Sequence, residues 1–199
     1  MKQYWFKQAY LDSGWAFGVT VVVDGYGVID TVRTNTLPQG AQIIEGLAIP
    51  GIPNSHCHAF QRAMAGLSEK ISMTNDSFWS WRTTMYEFAH QMTPDNQRAI
   101  AAQLYMEMLK SGYTSVAEFH YLHHQPSGEP YEDSAELSIS IIEAAQQAQI
   151  NLTLLPVLYI SSDFGGIELQ PKQQMFANTP TQYQKLLAGL VSRYGRLPG

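Results

Sequence analysis

Pro50-Gly51-Ile52-Pro53-Asn54-Ser55-His56-Cys57-His58 reads as a short extended segment entered through a Pro-Gly break. Successive side chains of a strand point to opposite faces, so His56 and His58 share one face and Cys57 takes the other. Two imidazoles so placed suit one divalent ion, because zinc accepts neutral imidazole nitrogen. The alternative is a pair of ordinary hydrogen-bonded polar histidines. Position favours ligation. The segment opens a run in which strand-like and helix-like stretches alternate, the pattern of βα units on a parallel sheet. Sites on such folds gather at the C-terminal ends of strands, where these histidines fall. Cys57, facing away, reads as a small buried apolar side chain.

On the N-terminal side, two β-branched runs within residues 15–32 flank Asp24-Gly25-Tyr26-Gly27, a hairpin signature. With the apolar runs Ile43-Ile44 and Leu47 to Ile49, they define a small, sandwich-like β region over 1–50. On the C-terminal side a helical face of Phe60, Met64 and Leu67 comes first, then a second with Phe78, Trp81, Met85 and Phe88, capped by Ser77. Thr93-Pro94 starts a helix with the stripe Ile100, Leu104, Met108, and Gly112 stops it. A strand over 114–120, a helix over 134–149, a strand over 151–159 and a helix from Thr179-Pro180 to Gly195 complete the pattern. A closed (β/α)8 barrel takes roughly 250 residues. About 150 of the 199 lie beyond the β region, so 51–199 is expected to hold the first three βα units of an incomplete barrel. The fold class is α/β: a partial (β/α)8 barrel preceded by a small N-terminal β region.

Composition narrows the function. Twelve Lys and Arg against 17 Asp and Glu give a net charge of −5, which argues against a nucleic-acid surface. With 45% apolar and 15% charged residues the chain has the makings of a sizeable core. A single cysteine excludes an intrachain disulfide framework and points to a reducing, cytoplasmic setting. No apolar run approaches the ~18 residues of a membrane span, and no membrane partner is expected.

The run Pro50 to Gly66, which continues Ala59-Phe60-Gln61-Arg62-Ala63-Met64, resembles the amidohydrolase superfamily, and more narrowly its N-formimidoyl-L-glutamate deiminases. The narrower resemblance is carried by Phe78-Trp79-Ser80-Trp81-Arg82-Thr83-Thr84-Met85-Tyr86, by Glu118-Phe119-His120-Tyr121-Leu122-His123-His124, and by Asp163-Phe164-Gly165-Gly166. It implies a metal-dependent hydrolase barrel, one zinc ion on His56 and His58, and hydrolytic conversion of N-formimidoyl-L-glutamate to N-formyl-L-glutamate and ammonia in histidine degradation. It also implies substrate-binding roles for Gln61, Arg82 and Tyr121.

Each residue has a plainer reading beside that one. Gln61 can be a solvated helix residue, Arg82 can stack on a tryptophan, and Tyr121 can be a rim aromatic. A dicarboxylate substrate nonetheless needs fixed cationic donors, and arginine offers a planar fork. His120, His123 and His124 suggest a second metal cluster, but loop histidines are commonly solvated. Glu118 shares their strand without a legible role, and Trp79, Trp81 and the methionines read as core. The family's remaining metal ligands and proton-transfer groups belong to later strands. The isolated chain is therefore expected to lack catalytic residues of its own, to be inactive, and to self-associate or form homo-oligomers through open sheet edges. The competing readings are an aminohydrolase acting on a ring substrate and a noncatalytic remnant acting through chain-chain contacts.

Overall fold

The N-terminal sheet is built from one segment rich in aromatic residues, over 2–11, and others that carry β-branched runs. Strand β1 (Lys2–Leu11) pairs antiparallel with β2 (Gly14–Val23), from Lys2 opposite Val23 to Leu11 opposite Gly14. Strand β2 pairs antiparallel with β3 (Ile29–Arg33), and β1 pairs parallel with β4 (Gln42–Ala48), giving the order β3-β2-β1-β4. The β2–β3 turn is held by the Asp24 carboxylate, which accepts the Tyr26 and Val28 N–H groups at 2.8 and 3.0 Å. This aspartate closure, with Gly27 at φ +87°, is the turn chemistry that the hairpin signature anticipates.

The computed structural model describes residues 1–68 and 78–195, which form two compact units, Met1–Ile52 and Pro53–Gly195. Ser77, the expected cap, lies outside the described residues. In the second unit, strands β5 (Ile52–Cys57), β6 (Tyr113–His120) and β7 (Asn151–Pro156) make a sheet in that order, with β6 and β7 parallel. A 3-10 helix (Ala59–Met64), α1 (Phe78–Ala89) and α2 (Pro94–Lys110) follow β5; α3 (Glu136–Ala148) follows β6; a second 3-10 helix (Pro171–Phe176) and α4 (Pro180–Tyr194) follow β7. Two helix starts have the expected chemistry. The Thr93 hydroxyl accepts the Asn96 N–H ahead of Pro94, and Thr179 and Gln182 form a capping box around Pro180. No helix among the described residues is long and apolar enough to cross a membrane.

Packing departs from the sequence expectation at four places. The buried stripe of α2 is Gln97, Ala101, Tyr105 and Met108, one position round from Ile100 and Leu104. Two of its members are polar: Gln97 donates to the Leu137 carbonyl at 2.8 Å, its buried Oε1 having no partner among the described residues, and Tyr105 donates to Glu118. Ala101 is small enough to let Ile141, Ala144 and Ala145 of α3 and Val116 of β6 close on it. Leu67 is exposed, because the 3-10 helix ends at Met64 and the chain turns outward through Ala65 (ψ 128°). Phe78 and Trp79 are exposed as well, whereas Trp81 and Phe88 are partly buried around Met85, Tyr86 and Ala89. The strand expected over 151–159 ends at Pro156, and the 3-10 helix over 171–176 was not anticipated.

Arg62, on the first 3-10 helix, grips both carboxylate oxygens of Glu107 on α2 at 2.8 and 2.9 Å. Those bonds, with a third from Gln103, hold the Glu107 carboxyl down at about 2, against an ordinary value of 4.5. On acidification the unfolded chain therefore takes up this proton first. The stabilisation is complete above about pH 4.5 and disappears as pH falls toward 2. Thermal melts across that window should show a shallower loss of Tm in Glu107→Gln than in the unsubstituted protein.

Candidate active site

The end of β5 presents two imidazoles side by side. His56 Nε2 and His58 Nε2 stand 3.0 Å apart, with the rings edge to face. His58 Nδ1 lies 2.9 Å from the Phe119 carbonyl, which can only accept, so the proton sits on Nδ1 and the Nε2 lone pair is turned toward His56 Nε2. Partial burial, opposed by the Phe119 carbonyl and reinforced by His56, lowers the proton affinity of His58 and favours the neutral ring. A neutral imidazole whose outer nitrogen is tied to a carbonyl is what metal ligation requires. In tetrahedral coordination two nitrogens at ~2.0–2.1 Å from zinc are about 3.3 Å apart, so the pair fits one ion. Among the described residues no group of three His, Cys, Asp or Glu side chains is placed to hold a metal, so the candidate donors here are His56 and His58.

Cys57 points the other way, into the core, where burial pushes its thiol pKa up. Beside it lies Glu118, 2% exposed. Its carboxylate accepts the Ala59 N–H at 2.6 Å and the Tyr105 hydroxyl at 3.1 Å. Burial raises its pKa, and these hydrogen bonds oppose the rise. A residue with no legible role in the sequence thus fixes the backbone one position past His58.

A cavity of about 420 Å³ opens beside His58 and is lined by all three expected substrate-binding residues, Gln61, Arg82 and Tyr121. Gln61 Nε2 donates to the Tyr121 hydroxyl at 3.0 Å, and the Tyr121 ring meets His58, Phe60 and Phe176 edge-on. Arg82 Nε donates to the Tyr86 hydroxyl at 2.8 Å, and the guanidinium lies 5.6 Å from the Trp79 ring centre and 5.4 Å from that of Tyr86. The stacking reading and the cavity reading of Arg82 therefore hold together, and Trp79, expected in the core, is an exposed platform for it. Tyr86, Tyr159 and Phe176 also line the cavity and were not singled out from sequence. Tyr86 lay within a recognised motif, but the other two follow β7, where no pattern marked them.

His120, His123 and His124 are buried, contrary to the expectation of solvated loop histidines. Their backbone explains it: the His123 and His124 N–H groups both donate to the Met175 carbonyl, folding this segment under the second 3-10 helix. His123 Nε2 donates to Val157 and His124 Nε2 to Ala177, which places both rings in structural hydrogen bonds. Burial holds His120 well below its ordinary pKa and His123 at about 4.

A model of the amidohydrolase family matches residues 47–189. The chain is 48% identical to a formimidoylglutamate deiminase of Pseudomonas aeruginosa over 184 residues, 92% of this chain and 41% of that protein. An 8-oxoguanine deaminase of the same organism is 26% identical over 97 residues, 49% of this chain and 20% of that one. Among solved structures, an amidohydrolase from Brucella melitensis superimposes with a TM-score of 0.90 at 40% identity, covering 98% of this chain and 44% of that chain. A zinc-complexed atrazine chlorohydrolase from Arthrobacter aurescens superimposes at 0.70 with 19% identity, over 98% of this chain and 43% of that one, a likeness of fold. The chain spans about two-fifths of the length of the deiminase and of the Brucella amidohydrolase.

Removing the Glu118 carboxylate would strand the buried Ala59 N–H. Glu118→Leu is expected to cost at least about 1–3 kcal/mol, the penalty of one buried polar group without a partner. Glu118→Gln, which keeps an acceptor for Ala59, should cost less than half as much. Urea unfolding curves of the two variants measure the difference.

Proposed function

This chain belongs to the amidohydrolase family, and we propose that it forms the N-terminal portion of a deiminase that hydrolyses N-formimidoyl-L-glutamate. The reaction adds water to the formimidoyl carbon, breaks its bond to the terminal nitrogen, and yields N-formyl-L-glutamate and ammonia. The observation that carries this reading is Arg82. Arg62, Arg98 and Arg193 each bind a carboxylate of the chain, whereas no described ion pair includes Arg82, which lines the same cavity as His58. A guanidinium beside a metal-binding pair, without an internal counter-ion, suits a substrate that brings its own carboxylate.

In this reading His56 and His58 hold one divalent ion, zinc by our assignment, whose chemistry is polarisation of the C=N bond and acidification of water. The Phe119 carbonyl keeps the His58 proton on Nδ1, away from the ion. Arg82 binds a substrate carboxylate. Gln61 and Tyr121, locked to each other, orient the formimidoyl group, and the aromatic wall of Phe119, Trp81 and Phe176 keeps water from the rest of the cavity. The unit Pro53–Gly195 then corresponds to the first three βα units of a (β/α)8 barrel, with further ligands and proton-transfer groups supplied from beyond it. A role in histidine degradation in the cytoplasm, and self-association through open sheet edges, belong to the same proposal. A ring aminohydrolase is the second reading, supported by the likeness to the 8-oxoguanine deaminase; it leaves Arg82 without an anionic partner.

Two outcomes are expected. Metal analysis of His56→Ala and His58→Ala should show loss of bound zinc in both, and undiminished content would remove the assignment. Calorimetric titration with N-formyl-L-glutamate should show binding that Arg82→Met weakens about 10- to 150-fold, the range for losing a charged hydrogen bond worth roughly 1.5–3 kcal/mol. A purine ligand should bind no more tightly than N-formyl-L-glutamate.

A further inference from the structure

We infer that Gln173, acting through the hydroxyl of Tyr86, positions Arg82 for carboxylate binding while leaving its charge uncancelled; the inference rests on Arg82 being the substrate anchor. Gln173 is 1% exposed, on the 3-10 helix after β7, and far from Arg82 in sequence. Its Oε1 accepts the Gln170 backbone N–H at 2.8 Å. Only the carbonyl end of the amide can face that donor, so Nε2 is the end directed at the phenols. It stands 3.1 Å from the Tyr86 oxygen and 3.1 Å from the Tyr159 oxygen. Both amide hydrogens are thereby committed, and the side chain has one arrangement.

The Tyr86 oxygen then accepts from two sides, Gln173 Nε2 and Arg82 Nε at 2.8 Å. Tyr159, the second phenol held by Gln173, lines the same cavity as Arg82. Both rings pack on Phe176, itself 1% exposed, with centroids 5.9 and 5.6 Å away, so neither hydroxyl can swing aside without disturbing the core. The guanidinium plane is therefore set from behind by neutral groups. A carboxylate in the same place, as on Arg62, would orient an arginine equally well but would neutralise the charge that an anionic ligand needs. Lys172 reinforces the point: its ammonium lies 4.7 Å from the centre of the same Tyr86 ring, adding positive field where an internal counter-ion would have cancelled it.

The test uses the full chain, N-formyl-L-glutamate as the probe, and the 1H–15N signal of the Arg82 Nε–H group. In the unsubstituted protein that proton should exchange slowly with water. Tyr86→Phe keeps the ring on Phe176 and removes one oxygen; Gln173→Met keeps volume and removes both donors. Each should raise the Kd about 5- to 20-fold and speed Nε–H exchange at least tenfold. In an Arg82→Met background the same substitutions should change Kd less than twofold, whereas a general structural defect would weaken binding in either background. If Arg82→Met weakens binding and Tyr86→Phe leaves it within twofold, Arg82 needs no positioning and the inference fails alone. If Arg82→Met binds as well as the unsubstituted chain, or that chain does not bind the probe, the anchor reading fails and takes the inference with it. Tyr86→Phe decides the matter should Gln173→Met not fold.

Discussion

The Glu118 carboxylate, sealed between β5, β6 and α2, is the contact on which the geometry of the site turns. Its bond to the Ala59 N–H catches the chain at the point where β5 gives way to a 3-10 helix, and its bond to Tyr105 fastens that point to α2. The pleat does the rest. With Glu118 and Val116 directed into the core, Phe119 and Tyr121 take the opposite direction; with Cys57 in the core, so do His56 and His58. The outcome is a division of the sheet into a packing face and a chemical face. On the second, His58 sits edge-on to both Phe119 and Tyr121. A one-residue slip of either strand would exchange the two faces. A buried carboxylate with two distinct donors is a strong register mark, because a shifted alignment leaves it or its donors unsatisfied.

The separation of faces also explains which parts were legible from residues alone. His56-Cys57-His58 could be read because strand period assigns sides without any knowledge of neighbours, and the ends of α2 and α4 because Thr-Pro pairs cap helices by local chemistry. What failed were inferences that needed a partner. Gln97 and Tyr105 face inward on α2, where the Leu137 carbonyl and Glu118 accept from them, and an apolar stripe drawn through Ile100 and Leu104 cannot include polar residues whose partners are distant in sequence. His123 and His124 are buried for the same reason, their acceptors being carbonyls at 157 and 177. Glu118 itself is the clearest case: its function is wholly in contacts to residues 59 and 105.

Site residues followed the same rule in a graded way. His56, His58, Gln61, Arg82 and Tyr121 all belong to segments whose wording resembles one family, and the structure brings four of them, from His58 onward, around one cavity. The groups that hold them in place are harder to read as such, even where they lie in the same segments. Phe119 enters as a backbone carbonyl, which any residue would supply, and Gln173 lies in a 3-10 helix too short for periodicity to reveal.

The scale of the likeness to other proteins fits this division. At 19% identity the triazine-type neighbour keeps the arrangement of strands and helices, so backbone architecture survives nearly complete replacement of side chains. At 40–48% identity the Brucella structure and the Pseudomonas deiminase share far more of the side chains that fill that architecture. Between those levels lies the choice of substrate, and in this chain the feature that bears on it is electrostatic. On the function proposed above, a cavity bordered by Arg82 and backed by neutral phenols suits an anionic ligand better than a neutral heterocycle of equal size. That preference rests on two features of the described residues: no ion pair includes Arg82, and the group its Nε meets is the neutral Tyr86 hydroxyl.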